Sequence, residues 1–178
     1  MRTKVGFTGG KKNAPNYYSL GDHTETVEIQ FDPKKTTYGE LLKTFWILHN
    51  PTRCASRQYM SAIFYHNEEQ RKIAEESRDE HQKTLRDKIV TKIIPAQTFY
   101  DAEDYHQKYL LRQQDEIREA LNLSDEELIV SHKAARLNGY CGGYGTLANL
   151  EKELPSFNLP PKLQDRVRRL LGRKGGFC

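Results

Sequence analysis

Cysteine and long apolar runs are scarce in this chain. Only three of its 178 residues are cysteine, Cys54, Cys141 and Cys178, and no two form a Cys-x-x-Cys pair. An odd count without paired spacing argues against a disulfide-stapled secreted scaffold and for free thiols in a reducing compartment. No apolar stretch approaches the ~18 residues of a membrane span, and no secretory apolar region follows Met1. The six histidines show no i, i+4 pair with a third ligand, and the cysteines lack zinc spacing, so no metal site is expected. The Gly-rich stretch around Cys141 lacks the Lys-Ser/Thr of a phosphate loop, which argues against nucleotide binding. Apolar residues, counted as AVILMFWC plus Gly, make up about 38%, below the usual 45–50%, and mean hydropathy is -0.81.

What is present is enough for a core: ten Tyr and seven Phe supply anchors. The net charge of +4 is uneven. Pro161 to Cys178 carries +5, and residues 1–160 carry -1. The basic character therefore belongs to the C-terminal tail and does not make the chain a nucleic-acid binder. A salt-sensitive contact of that tail with an acidic surface stands against a plain solvated helix face.

Lys4 to Phe7 reads as a short strand, followed by turn residues up to Asn16. Thr24 to Phe31 alternates, with Val27, Ile29 and Phe31 on one face, so a strand with an apolar side is predicted. Tyr38 to His49 is an amphipathic helix capped by Thr36 or Thr37. Ser61 to Tyr65 and Ile89 to Ile94 are β-like, and between them a charged helix runs from Asn67 to about Arg86. Ala102 to Leu111 reads as a helix. Beyond Gln113 the pattern becomes all-helical: Asp115 to Leu121, Ser124 to Leu137 opened by a capping box, Leu147 to Leu154, and Lys162 to Leu171. Asn138 to Gly145 reads as a mobile glycine-rich loop. The order suggests an α+β, two-layer domain over residues 1–113 and a helical extension over 114–178.

Glu25 falls on the apolar side of its strand. Burial there would raise its pKa and make it a proton donor. Pairing with a lysine at a sheet edge is the alternative. Tyr17, Tyr18, Tyr59 and Tyr65 are either a group of hydroxyls around a polar oxygen or ordinary amphipathic packing. Cys141 in its glycine loop and Cys178 at the chain end suit thiol exchange, which access and thiolate fraction govern. Cys54, between Arg53 and Arg57, lies where positive charge favours a thiolate. Each of the three is otherwise an incidental cysteine.

Five segments in order, Gly6-Phe7-Thr8-Gly9-Gly10, Gly21-Asp22-His23-Thr24-Glu25, Phe45 to Pro51, Arg57 to Ile63 and Phe99 to Tyr109, resemble the peptide methionine sulfoxide reductase A family. The likeness is to its animal form with a helical C-terminal extension. It implies a ferredoxin-like two-layer core and reduction of methionine (S)-sulfoxide, in proteins and free, by a thiol relay. On that resemblance Glu25 is the proton donor, and Tyr17 and Tyr59 bind the sulfoxide oxygen. Cys141 and Cys178 are recycling thiols, and thioredoxin or another dithiol is the reductant, with no bound cofactor. A monomer without membrane or nucleic-acid partners, in the cytoplasm, is expected.

Two departures qualify this. The family's nucleophile lies in a Gly-Cys-Phe-Trp turn after a first strand, and no such motif occurs in these 178 residues. The expectation is thus an N-terminally shortened product, with the first strand and any targeting segment missing. Such a chain would be inactive and aggregation-prone through open strand edges. Alternatively it is a non-catalytic isoform binding thioredoxin or oxidised proteins, or Cys54 is a substitute nucleophile. Second, Arg53-Cys54-Ala55-Ser56-Arg57 replaces the usual acidic, glycine-bearing loop, leaving an aspartate of the usual site without a counterpart.

Overall fold

The computed structural model describes residues 1–173. In chain order its elements are β1 (Arg2–Thr8), β2 (Thr24–Gln30), α1 (Tyr38–Ile47), β3 (Ala62–Tyr65), α2 (Glu68–Gln82), β4 (Lys92–Pro95) and β5 (Tyr100–Asp101). Six helices follow: α3 (Tyr109–Arg112), α4 (Asp115–Ala120), α5 (Asp125–Val130), α6 (His132–Cys141), α7 (Leu147–Phe157) and α8 (Pro161–Leu171). The class is α+β with a helical C-terminal part, as the order of patterns predicts. One sheet has the order β2-β1-β5 and a second pairs β3 with β4. The chain forms two compact units, one of Gly6–Thr26 and Phe31–Asp101, the other of Met1–Val5, Val27–Gln30 and the chain from Ala102 onward.

In the first unit β3 and β4 are parallel, with Ile63 opposite Ile93 and Phe64 opposite Ile94. A parallel pair needs a crossover, which α2 supplies. Asn67 caps α2 by accepting from the Gln70 N–H at 2.8 Å, and Thr37 caps α1 through the Glu40 N–H. Leu42 and Trp46, one turn apart on α1, pack with Ile63, Ala74 and Ile89, and the buried indole N–H donates to Ser77 Oγ at 3.0 Å. Gly6 faces Asp101 in the β1–β5 ladder. A Cβ there would lie 2.2 Å from the Tyr100 carbonyl oxygen, so only glycine fits.

The second unit buries Leu111, Ile117, Leu137, Tyr140, Leu150 and Val167 among its helices. The predicted Ser124 capping box forms in full. The long helix expected from Ser124 to Leu137 is instead two, because Ser131 leaves the helical region and its Oγ caps α6 through Ala134 N–H. Most of Ala102 to Leu111 is not α-helical. It holds a short 3-10 turn, Asp104–His106, before α3, with Tyr105 and Tyr109 exposed. The charge of α8 is largely matched locally: Arg168 pairs with Glu151 and Asp165, and Arg166 with Glu116. That accounts for much of the basic tail as intramolecular pairing.

Gln107 is fully buried and exchanges two hydrogen bonds with the Val5 backbone, at 3.0 and 2.7 Å. Next to it Lys108, only 5% exposed, donates its ammonium to the carbonyls of Thr3 and, at 2.8 Å, Ile129. Burial pushes Lys108 down from 10.5 to about 8. Below about pH 8 the amine is protonated both folded and unfolded, and the burial cost is present in full. Between about 8 and 10.5 the unfolded chain holds more protons, so this group adds stability as pH rises. The gain is roughly 2–4 kcal/mol. Urea unfolding at pH 7.5 and 10 should therefore show a stability rise in the native chain that Lys108→Met lacks; equal pH responses would contradict it.

Candidate active site

The loop after β1 folds around one histidine. His23, 1% exposed, accepts the Gly10 N–H at Nδ1 (3.2 Å) and donates from Nε2 to the Lys12 carbonyl (2.7 Å). That pair of partners specifies the neutral ring with its proton on Nε2. Asp22 Oδ1 accepts from the N–H groups of Lys11 and Lys12, at 2.8 and 3.4 Å. These backbone donors, Lys11 first, hold its carboxyl below the usual range. Arg57 donates to the carbonyls of Asp22 (3.0 Å) and Gly9 (2.6 Å), and Thr24 Oγ1 donates to the Arg57 carbonyl at 2.9 Å. Asp22, His23 and Thr24 are thus scaffolding. They fix the loop and the 3-10 turn Arg57–Tyr59 beside the next residue, Glu25.

Glu25 is exposed, which corrects the expectation that it lies on a buried face. The side of β2 that turns inward is the polar one. Thr24 is 2% exposed, whereas Val27 is 52% and Ile29 36% exposed. A strand's two faces differ by a single residue of register, and here hydrogen bonding of Thr24 to Arg57 selects the face against the apolar pattern. A proton-donor role for Glu25 consequently cannot rest on desolvation. It rests on the neighbours that the turn brings to it.

Those neighbours are Gln58 and Tyr59, and Tyr17 acts electrostatically on Tyr59. Gln58 Nε2 donates to Glu25 Oε1 at 2.7 Å and to the Tyr59 hydroxyl oxygen at 3.1 Å. The Glu25 carboxylate is the main cause holding the Tyr59 phenol above its ordinary range; desolvation and Tyr17 add to it, and the Gln58 N–H opposes. Tyr17 stacks edge-on against Tyr18, centroids 5.5 Å apart. Tyr17 and Tyr59 are 41% and 59% exposed. Tyr65 stands elsewhere, on β3 beside Arg71. A separate open recess of about 450 Å³, between Trp46, His81, Asn50 and Asp87, contains none of these residues.

The thiols are less uniform than their sequence contexts suggest. Cys54 is an exposed free thiol in the loop before the Arg57–Tyr59 turn. Cys141 does not lie in a mobile loop: it is the last residue of α6, half-buried against the helical core. Burial pushes its thiol up to about 12, only partly countered by Arg166. The helix runs through Gly139, with Tyr140 anchored, its hydroxyl bonded to Arg136 and Glu153 at 2.7 and 3.1 Å. Cys178 lies outside the described residues. Among the described residues, no group of three or more His, Cys, Asp or Glu is arranged to hold a metal, and no helix is long and apolar enough to cross a membrane.

Gln58, Arg57 and the Asp22-His23-Thr24 scaffold were not singled out by chemistry-bearing residue type. The available signal was position, since each sits inside a motif segment next to Glu25 or Tyr59.

A family profile described as "Peptide methionine sulfoxide reductase" matches residues 1–137, and one described as "Selenoprotein methionine sulfoxide reductase A, helical domain" matches 122–172. The chain is 41% identical over 164 residues to a peptide methionine sulfoxide reductase of Drosophila melanogaster, covering 90% of this chain and 67% of that protein. It is 45% identical over 120 residues to peptide methionine sulfoxide reductase A2 of Arabidopsis thaliana, covering 62% of this chain but 55% of that one. Among solved structures it resembles reduced Mxr1 from Saccharomyces cerevisiae, with a TM-score of 0.59 and 32% identity over 63% of this chain and 71% of that one. Methionine sulfoxide reductase A of Corynebacterium diphtheriae matches with a TM-score of 0.53 and 32% identity, over 63% of each chain.

Proposed function

Because this chain belongs to the peptide methionine sulfoxide reductase family, we propose that its Glu25 cluster receives the oxygen of methionine (S)-sulfoxide, free or within proteins. The observation that carries this is the meeting of the exposed Glu25 carboxyl and the exposed Tyr59 phenol on one amide, with Tyr17 close enough to act electrostatically on Tyr59. A sulfoxide oxygen is a strong acceptor, and Glu25, as its acid, and the Tyr17 and Tyr59 hydroxyls are donors suited to it.

In the reaction that the family performs, a thiolate attacks the sulfoxide sulfur and protons go to its oxygen. The products are the thioether and a sulfenic acid on the cysteine. A recycling thiol then attacks that sulfur, releasing water and forming a disulfide that a dithiol such as thioredoxin reduces. For this chain we assign recycling to Cys141 and Cys178, and keep residues 1–113 as the sulfoxide-binding part and 114–178 as the recycling part. No Gly-Cys-Phe-Trp nucleophile occurs in the 178 residues, so the proposed activity of these residues by themselves is binding without turnover. The exposure of Cys54, just before the Tyr59 turn, favours it as the substitute nucleophile in a second reading.

Calorimetry tests the binding. The chain should bind methionine (S)-sulfoxide, and neither the (R) epimer nor methionine comparably. Glu25→Gln and Tyr59→Phe should each weaken it about fivefold or more, the effect of one lost hydrogen bond. Equal affinity for both epimers, or unaltered affinity in both variants, overturns the reading.

A further inference from the structure

We infer that Gln58 is a positioning residue that decides which oxygen of Glu25 carries the proton and turns the Tyr59 hydroxyl proton outward toward the ligand. The inference rests on the sulfoxide reading above.

The backbone of Gln58 is held from both sides. Arg57 is clamped to Asp22 and Gly9, and its carbonyl receives Thr24 Oγ1. The Tyr59 N–H closes on the Ser56 carbonyl at 3.1 Å. The half-buried side chain is therefore aimed by a fixed turn. Its Nε2 has two hydrogens and can only donate. One goes to Glu25 Oε1 and one to the Tyr59 oxygen.

Two consequences follow from donation alone. A proton on Oε1 would face the N–H group, so a protonated Glu25 carries its proton on Oε2, away from Gln58. The Tyr59 oxygen, already an acceptor, keeps its own O–H as a donor. Both donors are left to converge on one oxygen of a ligand. An amide does this without adding a charge that would compete with Glu25 for the proton. The same contact opposes the effect of Glu25 and Tyr17 on the Tyr59 phenol.

The test uses the full chain with tyrosine labelled at Cζ, the Tyr59 signal being assigned with Tyr59→Phe. Gln58→Leu removes both donors, and Gln58→Glu replaces them with acceptors at nearly the same shape. In both variants the Tyr59 midpoint should move upward, further in Gln58→Glu. Affinity for methionine (S)-sulfoxide should fall at least about fivefold in Gln58→Leu. A merely structural role would lower the melting temperature and leave the Tyr59 midpoint in place. An unmoved or lowered midpoint in a variant that keeps its native circular dichroism overturns the inference. If the native chain does not bind the sulfoxide, the functional reading fails, while the titration still decides the role of Gln58.

Discussion

Supplied with thioredoxin, its reductase and NADPH, the 178-residue chain should reduce methionine (S)-sulfoxide at least roughly a thousandfold more slowly than a family member carrying Gly-Cys-Phe-Trp. Loss of a nucleophile costs an enzyme on the order of 10⁶-fold, because binding and oriented donors alone leave only residual catalysis. On the proposed reading Glu25, Tyr17 and Tyr59 supply the donors, while the 178 residues hold no Gly-Cys-Phe-Trp sulfur. Cys141 is held protonated inside the helical unit. Cys54 is exposed and makes no hydrogen bond among the described residues. A rate within tenfold of the full-motif enzyme would overturn this expectation. If Cys54→Ser abolished such a rate, Cys54 would be the substitute nucleophile; if it left the rate unchanged, that second reading would fail too.

Alkylation should separate the thiols almost completely. With iodoacetamide at pH 7.5, the peptide carrying Cys54 should be modified while that carrying Cys141 stays free. The thiolate is the reacting species. Raising a thiol from 9.0 to about 12 cuts its thiolate fraction about a thousandfold, and half-burial limits access as well. In guanidinium chloride the two peptides should react alike. Reaction of Cys141 within tenfold of Cys54 in the native protein would contradict the helical, buried placement. For a recycling role the implication is direct: the last turn of α6 must open before Cys141 reacts, so that step would be slow unless a partner or the disulfide chemistry drives it.

Local features of the fold were legible in the amino-acid order, and features set by distant partners were not. Thr37, Asn67 and Ser124 announce helix starts because a cap is a contract between residues three apart. The split of the predicted Ser124 helix at Ser131 was hidden, although the cap that Ser131 makes is equally local. The inward face of β2 was misread since Thr24 is held by Arg57, far along the chain. Helix α6 runs past Gly139 to Cys141, with Tyr140 held by Arg136 and Glu153. Strand β5, two residues long, exists by pairing with Gly6 and Phe7. Of the proposed site, Glu25, Tyr17 and Tyr59 are suggested by family resemblance and not by periodicity, which placed Glu25 on the wrong face. Gln58 was invisible for the same reason as the strand face: its partner Glu25 is distant in sequence.

The proposed site brings the Glu25, Tyr17 and Tyr59 groups to the sulfoxide oxygen. Its most direct test is the nuclear magnetic resonance spectrum of the Cζ-labelled chain as methionine (S)-sulfoxide is added. The Tyr17 and Tyr59 signals should move together and saturably, Tyr140, buried in the helical unit, should not move, and Glu25→Gln should weaken the response. Saturable binding that leaves Tyr17 and Tyr59 unmoved, or no binding at all, would contradict it.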